Sequence, residues 1–563
     1  MPHRGQHRAR DGRHDADGRH VLLQPLHRVL LGPGLRRRRD NPHGRLGGQH
    51  PELRRLPRRR LRPDRHRRHR RHDGRLHART PDLRRAADGH RRQLRVPRPE
   101  EAAAVNAPTD ITYDVVVAGG GSAGVAAAVS AAEEGARVLL VESSGSVGGT
   151  LSWQLLEHSA GFHDVHGEQV VAGFGQRLVD RLTAAGASPG HVRDDVGYTA
   201  TRTPVDHAEL ALTQSVMLAE AGVDVWLQSV PVGLDRDGSR IAALHVHTSH
   251  GRRTVRAAAV VDATGDAAIA ALAGAPFQND TTAVQPVSLT FKLGGADIGA
   301  LLAYLSENPD EIRPGSVLGS GTDDHANVWG LGALLSAGHA SGALSLRRTE
   351  MHLALWPTRG EAVVNVTRTT GADGLGAAHA VLSRQVLEFV RWFRADVPGF
   401  GDCRLVAVAD RVGVRESRRV RGVHTMTAAE VGDGTPFADA IGRGAFPIDI
   451  HAADGAGLSH TDAVGAGYAI PYRILLVPDP ANLLVAGRCV SSTHEANGTL
   501  RITGTCFVTG EAAGVAAAMA AHHGVVPAEV DTTRLQERLA DRGVLLPTGA
   551  GRAAGCGARV GAG

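Results

Sequence analysis

Apolar and polar positions first form a regular pattern at residue 113, where they predict a β-α-β unit. Tyr113–Ala118 is a short, valine-rich apolar run bounded by glycines, as in a buried parallel strand. Ser122–Glu134 is alanine-rich with a helical pattern, and Gly135 ends it. Arg137–Glu142 is the next predicted strand. A strand, a helix and a second strand within 30 residues favour an α/β fold with a parallel sheet.

Later segments extend this alternation of strands and helices. We predict a helix at His207–Ala221, strands near Asp224–Val230, Ile241–Thr248, Thr254–Asp262 and Asn482–Ala486, and an alanine-rich helix from about Gly510 to His522. The sequence shows no internal repeat. It also contains no run of 18 or more apolar residues, so we expect no membrane-spanning segment.

Residues 1–108 follow neither the strand period nor the helix period, and their charge differs from that of the rest. The first 100 residues carry 30 Arg, no Lys and 10 acidic residues, a balance of +20, whereas the remaining 463 residues sum to −14. A basic arm of this kind could bind nucleic acid or an acidic surface. GC-rich DNA read in the wrong frame gives the same Arg, His, Pro and Gly composition, so we interpret residues 1–108 as a disordered or artefactual tail.

A start of translation inside this tail fits the sequence. No methionine lies between Met1 and Met217, and Val105 is well placed, because valine GTG codons can initiate translation in bacteria. We therefore predict that residues 1–104 are absent from the natural protein. The Gly- and Ala-rich residues 546–563 are predicted to be a disordered end.

The cysteines and histidines limit the metal chemistry. Cys403, Cys489, Cys506 and Cys556 are far apart and form no CxxC pair, so neither a zinc ribbon nor an iron–sulfur cluster can be built locally. The histidines form no HExxH pattern, and we expect no metal site. Sparse, unpaired cysteines fit a reducing compartment, so we predict a cytoplasmic protein.

A glycine motif, Gly119-x-Gly121-x-x-Gly124, follows the first predicted strand and opens the first helix. In a dinucleotide site the first glycine permits a tight turn, the second lets the backbone approach a pyrophosphate, and the third lets helix and strand pack closely. The helix N-terminus offers unpaired N–H groups and a positive dipole end to the phosphates. Glu142 ends the second strand, where a carboxylate accepts hydrogen bonds from the ribose hydroxyls.

Three later segments favour FAD over NAD as the dinucleotide. A small-residue turn lies at 148–150, and the strand that ends at Asp262 continues into Ala-Thr-Gly-Asp, as in flavoproteins with two dinucleotide-binding folds. Near the C-terminus a strand ends in Gly487-Arg488, and small residues then open the alanine-rich helix, where a flat ring could approach and the helix dipole would stabilise negative charge on a reduced flavin. The predicted FAD contacts are Gly119, Gly121, Ser122, Ala123, Gly124, Glu142, Gly148, Gly149, Thr150, Val230, Ala263, Thr264, Gly265, Asp266, Gly487, Arg488, Thr509, Gly510 and Ala513.

With these motifs and three further segments, the sequence resembles the bacterial FAD-dependent oxidoreductases that are grouped with the FAD subunit of heterodisulfide reductase. The segments are Arg411-Val-Gly-Val-Arg-Glu-Ser-Arg-Arg-Val-Arg-Gly422, Asp439-Ala-Ile-Gly-Arg-Gly-Ala-Phe-Pro-Ile-Asp-Ile-His451 and Ile470-Pro-Tyr-Arg473. The resemblance covers about residues 110–545. It implies a Rossmann-like FAD domain of the glutathione-reductase type with an inserted α+β substrate domain. Heterodisulfide reductase subunits also carry cysteine-rich iron–sulfur motifs, which this chain lacks, so electron bifurcation is not carried over to it.

The predicted domain bounds follow from the motifs and the resemblance. We expect the first part of the FAD domain at 109–275, a substrate or cap domain at 276–470, and the second part of the FAD domain at 471–545, between the tail of 1–108 and the end of 546–563.

Four residues are candidates for the chemistry, and three of them have a structural alternative. Arg415 and Arg419 could clamp an anionic substrate group or stabilise negative charge on flavin N1–C2=O, or they could belong to an Arg–Glu network that joins the two domains. His451 follows Asp449 and could be a general base oriented by that carboxylate, or a structural histidine. His494 lies shortly after the glycine turn near the C-terminus and could face the isoalloxazine ring.

Together these features predict an FAD-dependent oxidoreductase that transfers a hydride or electrons between a small organic substrate and an acceptor. No second GxGxxG motif follows the first, so the acceptor would be a quinone, an electron carrier or oxygen rather than NAD(P)H on a dedicated domain. The alternatives are an FAD protein that acts on RNA and a non-catalytic flavin-binding module. The balance of −14 beyond residue 100 disfavours RNA, so we expect neither a nucleic-acid nor a membrane partner.

Overall fold

The computed structural model describes residues 110–194, 199–279, 285–319, 324–452, 458–460 and 465–547. The predicted basic tail, the proposed start at Val105 and most of the predicted C-terminal end lie outside these residues.

A seven-stranded, mainly parallel sheet forms the centre of the first core. Its strands are β1 (Asp110–Ala118), β2 (Val138–Val141), β6 (Asp224–Trp226), β7 (Val230–Asp237), β8 (Arg240–Thr248), β9 (Gly251–Asp262) and β19 (Leu483–Val485). The order is β6-β2-β1-β9-β8-β7, and β19 pairs in parallel with the end of β9. Strand β1 pairs in parallel with β2 and β9, and its residues Val115–Ala118 are fully buried, which explains why this part of the strand is apolar at every position.

Helices pack on and around the seven-stranded sheet, and two of them approach each other very closely. They are α1 (Ser122–Glu133), α2 (Phe174–Ala184), α3 (His207–Ala221), α4 (Ala268–Leu272), α9 (His494–Leu500), α10 (Thr503–His523) and α11 (Thr532–Asp541). A Cβ added at Gly510 or Gly514 of α10 would lie 2.2 or 2.1 Å from a carbonyl oxygen of α1, so only glycine permits this packing. Helix α10 is long and apolar enough to cross a membrane, but 94% of its apolar window is buried inside the protein, as in a core helix.

A five-stranded antiparallel sheet forms the centre of a second core. Its strands are β10 (Phe291–Gly294), β11 (Ala326–Gly330), β12 (Met351–Trp356), β13 (Glu361–Asn365) and β14 (Arg404–Val408), in the order β11-β12-β13-β10-β14. The helices of this region are α5 (Ile298–Glu307), α6 (Gly332–Ala340) and α7 (Leu375–Asp396). All of these elements lie inside the predicted substrate domain, whose bounds stay a prediction.

Short strands link the two cores. One small sheet contains β3 (His158–Ala160), β4 (Val192–Arg193) and β5 (Thr201–Pro204), and two strand pairs join β15 (Ala440–Gly444) to β18 (Tyr468–Pro471) and β16 (Asp449–His451) to β17 (Leu458–His460), with α8 (Ala428–Gly432) before them. Lys292 of β10 forms a buried ion pair with Glu157, which precedes β3, at 2.8 Å. The architecture confirms the predicted α/β class with a Rossmann-like domain.

Candidate active site

A cavity of about 740 Å³ opens at the carboxyl ends of β1 and β9 and continues to the second sheet. The carboxyl end of a parallel sheet is where open α/β folds bind their ligands. Gly119 and Ala263 line the cavity on the side of the parallel sheet, and Asn327 and His352 line it on β11 and β12. One continuous space therefore joins the dinucleotide motif to the second core.

The three glycines of the motif are explained by different features of the structure. Gly119 has a φ of +98°, and a Cβ there would lie 2.5 Å from the Ala263 carbonyl oxygen; a Cβ at Gly124 would lie 1.7 Å from the Gly119 carbonyl oxygen. At Gly121 an added Cβ would meet only the Cα of Gly149, at 3.9 Å, and the residue lines the cavity. Packing within the protein therefore does not require glycine at position 121. Because glycine has no side chain, it leaves open space in the cavity, and a pyrophosphate that lies close to the backbone needs this space.

Glu142 lines the cavity beside this turn and is 4% exposed. Its Oε2 accepts a hydrogen bond from the N–H of Gly120 at 2.6 Å, and its Oε1 accepts one from the N–H of Ser144 at 2.6 Å. Backbone donors thus hold the carboxylate at the position predicted for the ribose contact. That contact stays a prediction.

The turn after β9 is built by two aspartates with different roles. Asp262 is fully buried and accepts hydrogen bonds from the hydroxyl and N–H of Thr264 and from two N–H groups of α4, while burial raises the pKa of its carboxyl. Asp266 lines the cavity and accepts hydrogen bonds from Arg488 at 2.8 Å and from Ser417 at 2.7 Å. Burial alone would raise the pKa of Asp266, but the attraction of Arg488 and these hydrogen bonds outweigh it and lower the pKa.

Most of the predicted FAD contacts lie on the cavity wall. They are Gly119, Gly121, Ser122, Ala123, Glu142, Gly149, Thr150, Val230, Ala263, Thr264, Gly265, Asp266, Gly487 and Arg488. The structure does not bring Gly124, Gly148, Thr509, Gly510 and Ala513 to that wall. Gly510 packs α10 against α1, and the Thr509 hydroxyl accepts the N–H of Gly487 at 3.1 Å, so these small residues support the groove from behind instead of admitting a ring.

Of the candidate catalytic residues, Arg415 and His451 line the cavity. The Nη1 of Arg415 donates to the Pro286 carbonyl at 2.8 Å and to the Ser288 hydroxyl at 2.6 Å. The Nε2 of His451 lies 3.6 Å from an Asp449 carboxylate oxygen, as the sequence order suggested. Burial and the neighbouring Arg415 hold the pKa of His451 well below its usual value, so its imidazole is neutral at physiological pH.

Arg419 and His494 lie instead in a separate buried network around Glu416. The Glu416 carboxylate is 2.8 Å from the Nδ1 of His494 and 3.2 Å from the Nε of Arg419, and its side chain is fully buried. Neither residue lines the cavity, and Arg419 also donates to the Ser492 carbonyl at 2.6 Å. The structure therefore places Arg419 in the Arg–Glu network that was the alternative to a role in the chemistry, and it places His494 beside the same carboxylate and not on the cavity wall.

A family model described as FAD dependent oxidoreductase matches residues 114–539. This chain belongs to that family. FAD is its cofactor, and the residues present fit that cofactor: the open space above Gly121, the anchored Glu142 and the turn at 263–266 form one groove. The resemblance drawn from the sequence motifs is thereby confirmed at the level of the FAD-dependent oxidoreductases.

The curated relatives are similar to this enzyme over a limited stretch. The digeranylgeranylglycerophospholipid reductases of Picrophilus torridus and Thermoplasma acidophilum are 30% and 28% identical to it over 168 residues, 28% and 27% of this chain. The match spans about 40% of the length of these relatives. Among solved structures, a geranylgeranyl bacteriochlorophyll reductase-like protein of T. acidophilum shows 14% identity and a TM-score of 0.41 over 77% of this chain and 85% of that one. A p-nitrophenol 4-monooxygenase of Pseudomonas putida shows 12% identity and a TM-score of 0.42 over the same shares.

The sequence patterns missed a polar part of the cavity wall of this flavoprotein, formed by β3 and by the second core. His158 and His352 lie with ring centroids 4.7 Å apart, and His352 is hydrogen-bonded to Asn327. Burial and the charge of Arg202 lower the pKa of His158 to about 4, and burial holds the pKa of His352 well below its usual value, so both rings are neutral. A polar residue inside an otherwise apolar strand, as at 327 in β11 and 352 in β12, is the signal that could have found them.

Arg411 was part of a quoted motif but was not predicted as a contact. Its guanidinium stacks over the Trp153 ring at 5.1 Å and donates to the Ser143 hydroxyl at 2.9 Å, and all three residues line the cavity next to Glu142. A cation in this position is suited to the phosphates of a dinucleotide.

Proposed function

We propose that this enzyme transfers a hydride or electrons between a small organic substrate and FAD, with the substrate held between the FAD groove and the second sheet. The observation that carries this proposal is the continuity of the cavity, which joins the dinucleotide groove to Arg415, His451 and the polar wall at His158 and His352. Substrate pockets commonly lie between domains and combine an apolar lining with a few convergent polar groups. Here the pocket would lie between the FAD groove and the proposed substrate domain of 276–470.

Some residues of this chain would hold FAD, and others would orient the substrate. FAD, when bound, supplies the acceptance or donation of a hydride or of single electrons. Gly121 and the N-terminus of α1 would hold its pyrophosphate, and Glu142 its ribose. Arg415 would orient the substrate. The neutral imidazole of His451 would hold or move a proton at its Nδ1, which has no hydrogen-bond partner among the described residues.

The acceptor and the location follow as proposals from the sequence. The lack of a second GxGxxG motif supports a quinone, an electron carrier or oxygen as the partner in reoxidation. The sparse cysteines support the cytoplasm, because Cys403, Cys489 and Cys506 are buried and free.

The first experiment tests the groove with a matched pair of glycine variants. Gly121→Val should fold but be colourless, because the added side chain fills space that the protein leaves open. Gly401→Val, at a glycine whose Cβ would meet nothing within 4 Å, should remain yellow. FAD released by heat and measured in the supernatant is the readout, and a yellow Gly121→Val would contradict the proposed position of the pyrophosphate.

The second experiment tests the transfer itself. Purified enzyme is mixed with candidate organic substrates without oxygen, and bleaching of the flavin absorption at about 450 nm is followed. A substrate that bleaches the flavin of the wild-type enzyme should bind in the cavity. His352→Phe, which changes the cavity wall, should therefore slow the bleaching. Bleaching unaffected by changes on the polar wall would contradict the proposed substrate position.

A further inference from the structure

The part of the cavity next to β16 holds more positive than negative charge. Arg415 and Arg501 line it, Arg368 lies directly behind them, and Asp449 is the carboxylate on this wall. Arg501 already engages that carboxylate, since its Nη2 donates to the Asp449 side chain at 3.1 Å and to its backbone carbonyl at 2.9 Å. Among the described residues, a single carboxylate therefore lies beside several guanidinium groups here.

Arg368 is the charge that sequence patterns did not indicate. It is 2% exposed, and its Nη1 donates to the Ser288 hydroxyl, the Asn365 side chain and the Thr367 carbonyl at 2.7–3.0 Å. Its Nε and Nη2 are buried without a hydrogen-bond partner among the described residues. A buried guanidinium in this state is costly unless negative charge approaches it.

Arg415 connects this buried charge to the cavity. Its Nη1 shares the Ser288 hydroxyl with the Nη1 of Arg368, at 2.6 and 2.9 Å. The hydrogen bonds that Arg415 makes with the described residues all pass through Nη1. The edge formed by Nε and Nη2, whose parallel N–H groups match the two oxygens of a carboxylate, is thus left for a ligand in the cavity.

We propose that Arg415 and Arg501 bind a carboxylate group of the substrate, so that this enzyme acts on an organic acid anion. This inference rests on the proposed function and names its substrate class. Arg415 contributes the fork, Arg501 the second contact, and Arg368 the buried charge that favours an anion over a neutral group. A guanidinium fork can bind a carboxylate or a phosphate through two parallel hydrogen bonds, so the experiment compares the two anions directly.

The test measures anion binding by the FAD-loaded enzyme without turnover. Acetate, malonate and benzoate are each compared with the neutral amide of the same shape at constant ionic strength, and inorganic phosphate is a separate arm. Flavin difference absorption and the thermal midpoint are the readouts. At least one carboxylate should give a saturable change that its amide does not, and binding of phosphate alone would overturn the carboxylate assignment.

Variants separate the fork from simple charge. Arg415→Met should weaken carboxylate binding at least tenfold, and Arg415→Lys should weaken it less, because lysine keeps the charge but loses the fork. Arg368→Met should also weaken it while leaving the fold intact, since it removes an uncompensated buried charge. Arg391→Met, at an exposed position on α7, is the matched control and should bind like the wild type.

Two further results overturn the inference in different ways. If no carboxylate binds and Arg415→Met instead loses FAD or shifts the flavin reduction potential, the arginines serve the cofactor. If uncharged substrates bleach the flavin and carboxylates do not bind, the anion site is wrong while the proposed function stands. Carboxylate binding together with no bleaching by any organic compound would leave the anion site standing and count against the proposed transfer.

Discussion

Two arginine clusters each take one arginine from residues 415–419, and they differ in charge balance. Around Glu416, the cations Arg419 and His494 converge on one fully buried carboxylate, and none of the three lines the cavity. Around Asp449, the guanidiniums of Arg415 and Arg501 line the cavity, with Arg368 behind them.

Burial alone therefore does not separate the arginine of the structural network from the arginine that we propose to bind substrate. Arg415 and Arg419 are four residues apart and were equivalent candidates in the sequence. Arg415 lines the cavity and makes its hydrogen bonds with the described residues through Nη1, whereas Arg419 forms an ion pair with Glu416 and donates to the Ser492 carbonyl away from the cavity. The two arginines differ in local charge balance, which depends on distant segments of the chain, and this difference is the basis of the roles that we propose for them.

The largest expected effect comes from breaking the balanced cluster. Arg419→Ala should lower the free energy of unfolding by about 3–5 kcal/mol, because it leaves the buried Glu416 carboxylate with less positive charge. Chemical denaturation followed by circular dichroism measures this loss. Arg421→Ala, at an exposed arginine two residues further on, should change stability by no more than about 0.5 kcal/mol. Equal losses in both variants would show that the Glu416 cluster has no special weight.

The carboxylate of Glu142 differs from those of both arginine clusters, because it accepts hydrogen bonds from backbone N–H groups and not from arginine. Glu142→Ala should weaken FAD binding by about 1–3 kcal/mol, the usual cost of losing a hydrogen bond to a charged group. Titration of the apoprotein with FAD measures the change. Glu537→Ala, at an exposed position on α11, is the control. Unchanged FAD affinity in Glu142→Ala would mean that another group holds the ribose.

The parts of the fold that could be predicted from the sequence are those formed by residues close together in the chain. The unit from Tyr113 to Glu142 is contiguous, and its predicted strands and helix agree with β1, α1 and β2 to within a few residues. Helix α10 begins at Thr503, seven residues before the predicted start, because β-branched and small residues in its first turns hide the helical pattern.

The site beyond the FAD groove could be predicted only in part. Arg415 and His451 belong to conspicuous motifs, and the structure brings both to the cavity. Arg368, which follows β13, lies in the same region. Its side chain and that of Arg415 both donate to the Ser288 hydroxyl, which is 80 residues from Arg368 and 127 residues from Arg415 in the sequence. No spacing rule connects segments so far apart, since an antiparallel sheet with helical insertions sets their register.

A smaller effect is expected from the unbalanced cluster, and it concerns rate more than stability. Arg415→Ala should retain FAD and fold normally, because it removes one of several like charges. It should slow flavin reduction by a true substrate about tenfold or more, which corresponds to about 1.4 kcal/mol of activation free energy. Single-turnover reduction under anaerobic conditions measures this rate. If Arg415→Ala fails to fold, the contrast between the two clusters is wrong.

The smallest expected effect is a pH dependence within the balanced cluster. The hydrogen bond to Glu416 raises the pKa of His494 above its ordinary value of 6.5, against the opposing effect of burial. A group whose pKa is raised on folding stabilises the protein fully below its unfolded pKa and loses that contribution as the pH rises through the folded pKa. Protonated His494 should therefore stabilise the fold near pH 6 and contribute less near pH 9.

Comparison of the wild type with His494→Gln isolates this contribution. Glutamine keeps a hydrogen-bond donor but carries no charge, so the difference in thermal midpoint should be larger at about pH 6 than at about pH 9. His250→Gln, at an exposed turn between β8 and β9, should show no such trend. A difference that grows toward high pH would reverse the sign of the linkage. It would then show that His494 folds as a neutral ring, leaving Arg419 as the cation that balances Glu416.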